Sequence, residues 1–230
     1  MPVTKNVQVG LTVLRTQLIG DNSMSVYFER PIGFQFEAGD WIDINFADTN
    51  LNGGKVYSLS SSPTESDLAI SFRIGITPFK RQLQSVKPGD KLYISQYGND
   101  YGFQLNDKRS SVLIAGGIGV APFRSMVKEL YDKKVRADVQ LIYLNKTDDF
   151  LFKTELDIWR QHLPQLSIDY IATKDLKRKA REQQLNKLLT KGANRYYIAG
   201  AEAMVDATEH LLINRGVAVR DIRIDSFGTY

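Results

Sequence analysis

Leu113-Ile114-Ala115-Gly116-Gly117-Ile118-Gly119-Val120-Ala121-Pro122 is the stretch that decides the fold of this chain. A short apolar run of buried-strand type enters three glycines. A helix then starts at or near Pro122, a residue suited to a first helical turn. Glycines let backbone N–H groups approach a pyrophosphate closely, and a helix N-terminus favours negative charge. The stretch is neither Gly-x-Gly-x-x-Gly nor a P-loop, whose Gly-Lys-Ser/Thr it lacks. A tight turn with no ligand is the alternative reading.

Downstream the pattern alternates. Strands are expected at Val112–Ala115, Val139–Leu144, Ser167–Ala172, Tyr196–Ala199 and Ile222–Ser226. Helices are expected at Pro122–Lys133, Phe152–Gln161, about Arg181–Leu189 and Ala203–Asn214. Such alternation implies a parallel sheet covered on both faces, an α/β unit. Upstream the chain reads as β: Val7–Leu18, Ser23–Glu29, Trp41–Phe46, Val56–Ser60, Leu68–Arg73 and Lys91–Ser95, separated by glycine-rich turns. Six short strands suggest a small closed antiparallel β-barrel. One helix interrupts them, with Thr77 as N-cap, Pro78 in its first turn and Phe79–Val86 following. The expectation is a two-domain chain: a barrel over 1–107 and the α/β unit over 108–230.

Composition narrows the chemistry. The 230 residues are 43% hydrophobic, enough for real cores. There is no cysteine, which excludes disulfides, thiolate nucleophiles and cysteine-ligated iron–sulfur clusters within these residues. His162 and His210 lack neighbours at metal spacing, so no metal site is expected. No apolar run reaches about 18 residues, the length a spanning helix requires, and the N-terminus lacks a signal-peptide core. A cytoplasmic location is expected. The net charge of +4 favours acidic partners. The basic residues are spread out, and no nucleic-acid-binding motif is found. The densest basic cluster, Lys174 to Arg181, reads first as a solvated surface.

Lys55-Val56-Tyr57-Ser58-Leu59-Ser60-Ser61-Ser62-Pro63 places a cation, an aromatic ring and small hydroxyls in sequence. A ligand flat at one end and phosphorylated at the other needs that set. The same residues also read as an ordinary half-buried strand.

Taken together, these motifs resemble the ferredoxin–NADP reductase superfamily. The resemblance covers nearly the whole chain. It rests on the Tyr-Ser flavin motif in a barrel, then Gly-Gly-x-Gly-x-x-Pro opening an α/β domain. Tyr197-Ile198-Ala199-Gly200-Ala201-Glu202-Ala203-Met204 looks like the nicotinamide segment of that family, and Asp225-Ser226-Phe227-Gly228-Thr229-Tyr230 like its C-terminal ending.

The resemblance implies FAD, with FMN as the alternative, and NADPH or NADH. Tyr57 would stack on the flavin and Ser58 would contact its reactive edge, with Leu59 and Ser60 continuing that segment. Lys55 would face the phosphates. Arg73 and Ile74 would lie beside the cofactor, and Thr77, Phe79 and Lys80 would stand at its pyrophosphate. Gly117, Gly119 and Pro122 would admit the nicotinamide nucleotide, bordered by Gly200 and Met204, with Lys146 as a candidate for a 2′-phosphate. Ser58, Asp225 and Tyr230 are the candidate catalytic residues, Tyr230 covering the flavin until nicotinamide displaces it.

Three departures stand out: Lys55 in place of arginine, Ala199 in place of cysteine, and Gln96-Tyr97-Gly98-Asn99 in place of a Gly-Pro-x-Gly loop. The expected activity is transfer of hydride from NAD(P)H to flavin, with electrons passed to a separate ferredoxin or flavodoxin. The rivals are a reductase subunit of an oxygenase or haem system and a redox-silent binding module.

Overall fold

A computed structural model describes residues 3–20, 22–47, 51, 54–99, 102–189 and 195–228. In the first half, strands β1 (Val3–Leu18), β2 (Ser23–Glu29), β3 (Trp41–Phe46), β4 (Lys55–Ser58), β5 (Asp67–Arg73) and β6 (Lys91–Asn99) form one antiparallel sheet in the order β4-β3-β6-β1-β2-β5. A bridge between Leu59 and Ile70 joins the two edges and nearly closes the barrel. Alternating residues such as Leu11, Val26, Phe28, Ile42, Ile44 and Ile70 fill it and are fully or almost fully buried.

Helix α1 (Pro78–Gln84) closes one side with Phe79 and Leu83. Its cap is as expected: the Thr77 hydroxyl accepts from Lys80 N at 3.4 Å. Two strands run longer than the sequence pattern implies. β1 starts at Val3, and β6 continues through Gln96–Asn99, the stretch that stands where the family has a loop. Both extensions have one cause: Val3–Asn6 pairs with Gln96–Asn99, and Trp41–Asp43 pairs with Gln96–Gly98 from the other side.

The second half holds β7 (Ser111–Gly116), α2 (Val120–Lys133), β8 (Val139–Asn145), α3 (Lys153–His162), β9 (Leu166–Ala172), α4 (Arg178–Leu188), β10 (Arg195–Ala201), α5 (Glu202–Asn214) and β11 (Ile222–Phe227). The strands are parallel in the order β11-β10-β7-β8-β9. β7 is central and buried on both faces, which explains its unbroken apolar run. Leu113, Leu141 and Tyr143 pack under α2 and α3, whereas Ile114, Ile142 and Ile198 pack under α4 and α5.

Strand order reverses between β7 and β10, and open α/β sheets bind ligands at the carboxyl ends of strands at such a point. The 3₁₀ turn Gly117–Gly119 lies there, so α2 begins at Val120 and Pro122 sits in its first turn.

Arg124 of α2 ties the two halves together. It is buried, donates from Nη2 to Glu65 Oε1 at 3.0 Å and from Nε to Glu155 Oε2 at 2.9 Å, and reaches the Ser60 carbonyl from Nη1 at 3.1 Å. Ser125 adds a 2.7 Å bond to the Ser61 carbonyl. Replacing Arg124 by Ala leaves Glu65 without its cation, and removal of one partner from such a pair costs about 3–5 kcal/mol. The expected outcome is a lower denaturation midpoint in urea; an unchanged midpoint would show that the clamp adds no stability.

Candidate active site

The sheet ends and the barrel enclose a cavity of about 340 Å³ at the domain junction. Its barrel side is β4, the end of β5 and α1; its α/β side is Gly116, Ile118, Ala121 and the end of β11. Lys55, Tyr57, Ser58, Arg73, Thr77, Phe79, Lys80 and Asp225, all singled out from sequence, line it.

Tyr57 is half-buried. Phe72 meets its ring edge-on at 5.9 Å and Phe79 lies nearly parallel at 6.5 Å, so its orientation is fixed by packing. Ser58 is buried on the last position of β4, opposite Trp41. Its hydroxyl donates to Asp225 Oδ2 at 2.5 Å, joining residues 167 positions apart. Asp225 is held in register beside Ala199 by the β10–β11 pairing. This hydrogen bond crosses from barrel to α/β unit.

Arg73 reaches across the same junction. A Cβ on Gly117, whose φ is +56°, would lie 2.5 Å from the Arg73 Nη2. The glycine therefore leaves room for a cation from the barrel. Lys80 sits close by; burial, and then repulsion from Arg73, hold its ammonium below the usual lysine range. Three side chains of positive type thus line one wall, beside an aromatic ring and a hydroxyl.

The remaining sequence candidates are placed elsewhere. Leu59 is fully buried in the barrel core. Ser60 belongs to a buried hydroxyl trio, accepting from Ser71 at 2.8 Å, with Ser25 2.7 Å from Ser71. Ile74 follows Arg73 but does not line the cavity. Gly119 is required by packing, since a Cβ there would lie 2.2 Å from the Ala199 carbonyl oxygen. Pro122 is buried in α2. Gly200 and Met204 pack together beside Gly116: Met204 Cε lies 2.6 Å from a Cβ built on Gly200 and 2.4 Å from one on Gly116. Lys146 is exposed just beyond β8. Tyr230 lies outside the described residues.

Sequence reasoning did not single out Ser71, Phe72 and Ile118, which also line the cavity; the alternation of β5 around Arg73 was the available signal. Nor did it single out Arg124, a cation within the apolar run of α2. Among the described residues no group of His, Asp and Glu is arranged to hold a metal ion, and no helix is long and apolar enough to cross a membrane.

Comparison with known proteins agrees with this geometry. Residues 113–210 match the family described as oxidoreductase NAD-binding domain. Reductase component 2 of terephthalate 1,2-dioxygenase from Comamonas sp is 28% identical over 214 residues, covering 86% of this chain and 62% of that protein. Reductase component 1 from the same source is 32% identical over 148 residues, 62% of this chain and 42% of that protein. The chain thus spans less than two thirds of these relatives.

A ferredoxin NADP+ reductase from Neisseria gonorrhoeae, solved with bound FAD and NADP, superposes with a TM-score of 0.81 at 18% identity, covering 95% of this chain and 98% of that one. A cytochrome P450 reductase from Amycolatopsis gives 0.82 at 18%, covering 100% and 72%. Residues 113–210 thus carry an oxidoreductase NAD-binding domain, and the chain as a whole has the two-domain fold of the ferredoxin–NADP reductases.

Proposed function

We propose that this chain is a flavin-dependent NAD(P)H oxidoreductase that passes electrons to a separate acceptor. The observation that carries the reading is the cavity, where Tyr57, Ser58, three side chains of positive type and Asp225 meet at the switch point of the sheet. The residues present fit a flavin nucleotide: a packed ring for the isoalloxazine, a hydroxyl for its edge, and Lys55, Arg73 and Lys80 for phosphate oxygens. FAD is favoured over FMN because the Neisseria neighbour holds FAD on the same fold.

When bound, the flavin accepts hydride from nicotinamide and releases electrons singly. The chain's own part is positioning. Tyr57 holds the ring plane and Ser58 presents its hydroxyl at the ring edge. Asp225 orients that hydroxyl by accepting its hydrogen bond at 2.5 Å. Gly117 makes room for the Arg73 guanidinium at the sheet end, and Gly116 makes room for Met204. Ala199 contributes no thiol, so alignment carries the rate.

The acceptor is proposed to be acidic, a ferredoxin or flavodoxin, steered by the net positive charge. A second reading, the reductase component of an oxygenase system, draws support from what the two Comamonas relatives are called. Lys146 past β8 supports NADPH, while Asp148 and Asp149 beside it favour a free 2′-hydroxyl.

Anaerobic titration tests the proposal directly: the purified protein should be yellow, and NADH or NADPH should bleach the flavin band. A colourless protein that takes up neither FAD nor FMN would sink it. Tyr57→Ala should weaken flavin retention by about 1–3 kcal/mol, the scale of base–aromatic stacking; equal occupancy after gel filtration would remove Tyr57 from the site. Ser58→Ala should retain flavin yet slow its reduction in stopped flow by about 10²-fold, a loss of roughly 2.7 kcal/mol of alignment; wild-type rates would mean that the Ser58–Asp225 pair is structural only.

A further inference from the structure

Three arginine side chains and the backbone carbonyl of a fourth arginine meet at the opposite end of the parallel sheet. Arg195 opens β10 beside Ser111, Arg223 is the second residue of β11, Arg220 precedes that strand and Arg109 precedes β7. The Nη1 atoms of Arg195 and Arg223 converge on one acceptor, the Arg220 carbonyl oxygen, at 3.4 and 2.7 Å. Arg223 Nη1 also donates to the Ile222 carbonyl at 2.8 Å. Arg109, Arg195 and Arg223 all lie within electrostatic reach of the Tyr197 phenol, which is pinned by its 2.7 Å bond to the Gln104 carbonyl.

This arrangement carries more positive charge than its neighbours offset. Among the described residues none of the four makes an ion pair. Asp221 is the carboxylate whose attraction reaches Arg223. Among the described residues, the Nε atoms of Arg195 and Arg223 are buried without a hydrogen-bond partner, although buried donors are nearly always satisfied. Burial, and next repulsion from Arg195, lower the affinity of Arg223 for its proton. Like charges drawn onto one carbonyl repel each other, and an anion would offset that repulsion.

We propose that this cluster is a binding site for a phosphate group, separate from the nucleotide end of the sheet. Guanidinium groups arriving from several directions match a dianion with three acceptor oxygens better than a carboxylate with two. The separation follows from strand geometry. The seven residues of β10 rise about 3.3 Å each from Arg195 to the end that carries Gly200. The site rests on arginine geometry alone and stands whether or not the chain binds flavin.

The test uses the full chain and two probes, inorganic phosphate and phenyl phosphate, at constant ionic strength against chloride. Calorimetric titration should show saturable binding of at least one probe, and which one binds distinguishes free phosphate from a phosphate ester. Arg195→Gln and Arg223→Gln should each weaken it about tenfold, the loss of roughly one charge-assisted bond. Should Arg223→Gln fail to fold, Arg109→Gln, in an exposed linker, gives the same reading through a smaller weakening. Binding unaltered in these variants, no saturable heat with either probe, or displacement of the probe by NADPH would each overturn the proposal.

Discussion

Everything at the candidate site depends on how the barrel meets the sheet, and one buried guanidinium governs that contact. Arg124 rises from the first helix after the glycine turn and ends among Glu65, Glu155 and the Ser60 carbonyl. Burial alone would weaken its hold on the proton, but the two carboxylates outweigh that and raise it above the usual arginine value. A cation so paired is costly to separate. The segment after Ser58 is therefore held to α2, and α2 is held to the sheet end by the glycine turn.

Two polar contacts exploit that fixed geometry. Ser58 and Asp225 reach hydrogen-bonding distance only because β4 and β11 are presented to each other by the clamped domains. Arg73 lies over Gly117 for the same reason. Neither contact could survive a shift of the halves by more than an ångström or two. Ser58, Asp225 and Arg73 sit on strands rather than loops, which is where a site that works by alignment is best supported.

Much of this was legible in the sequence because strand and helix periods are local signals. Ser23–Glu29 and Trp41–Phe46 end where their alternation ends. Gln96–Asn99 could not be read as strand, because the partners that make it one, Val3–Asn6 and Trp41–Asp43, lie far away in sequence. The glycines divide in the same way. Their presence before a helix marked the turn, but whether each answers to a ligand or to packing is a tertiary question. Gly119 turns out to be needed by the Ala199 carbonyl. Arg124 and the arginines between 109 and 223 were illegible as clusters, since each is an isolated basic residue along the chain.

Lys55 is the position where sequence reasoning found the proposed cofactor grip weakest, because lysine offers a point charge where the family offers a planar fork. The cavity changes that assessment. Arg73 lines it from the adjoining strand end and brings a fork of its own, with Lys80 beside it. Burial, and then repulsion from Arg73, lower the affinity of Lys80 for its proton. A phosphate placed between them would relieve that repulsion and raise the affinity again. In the proposed site, the bidentate contact missing at residue 55 would be offset by how the barrel brings β4, β5 and α1 to a common wall.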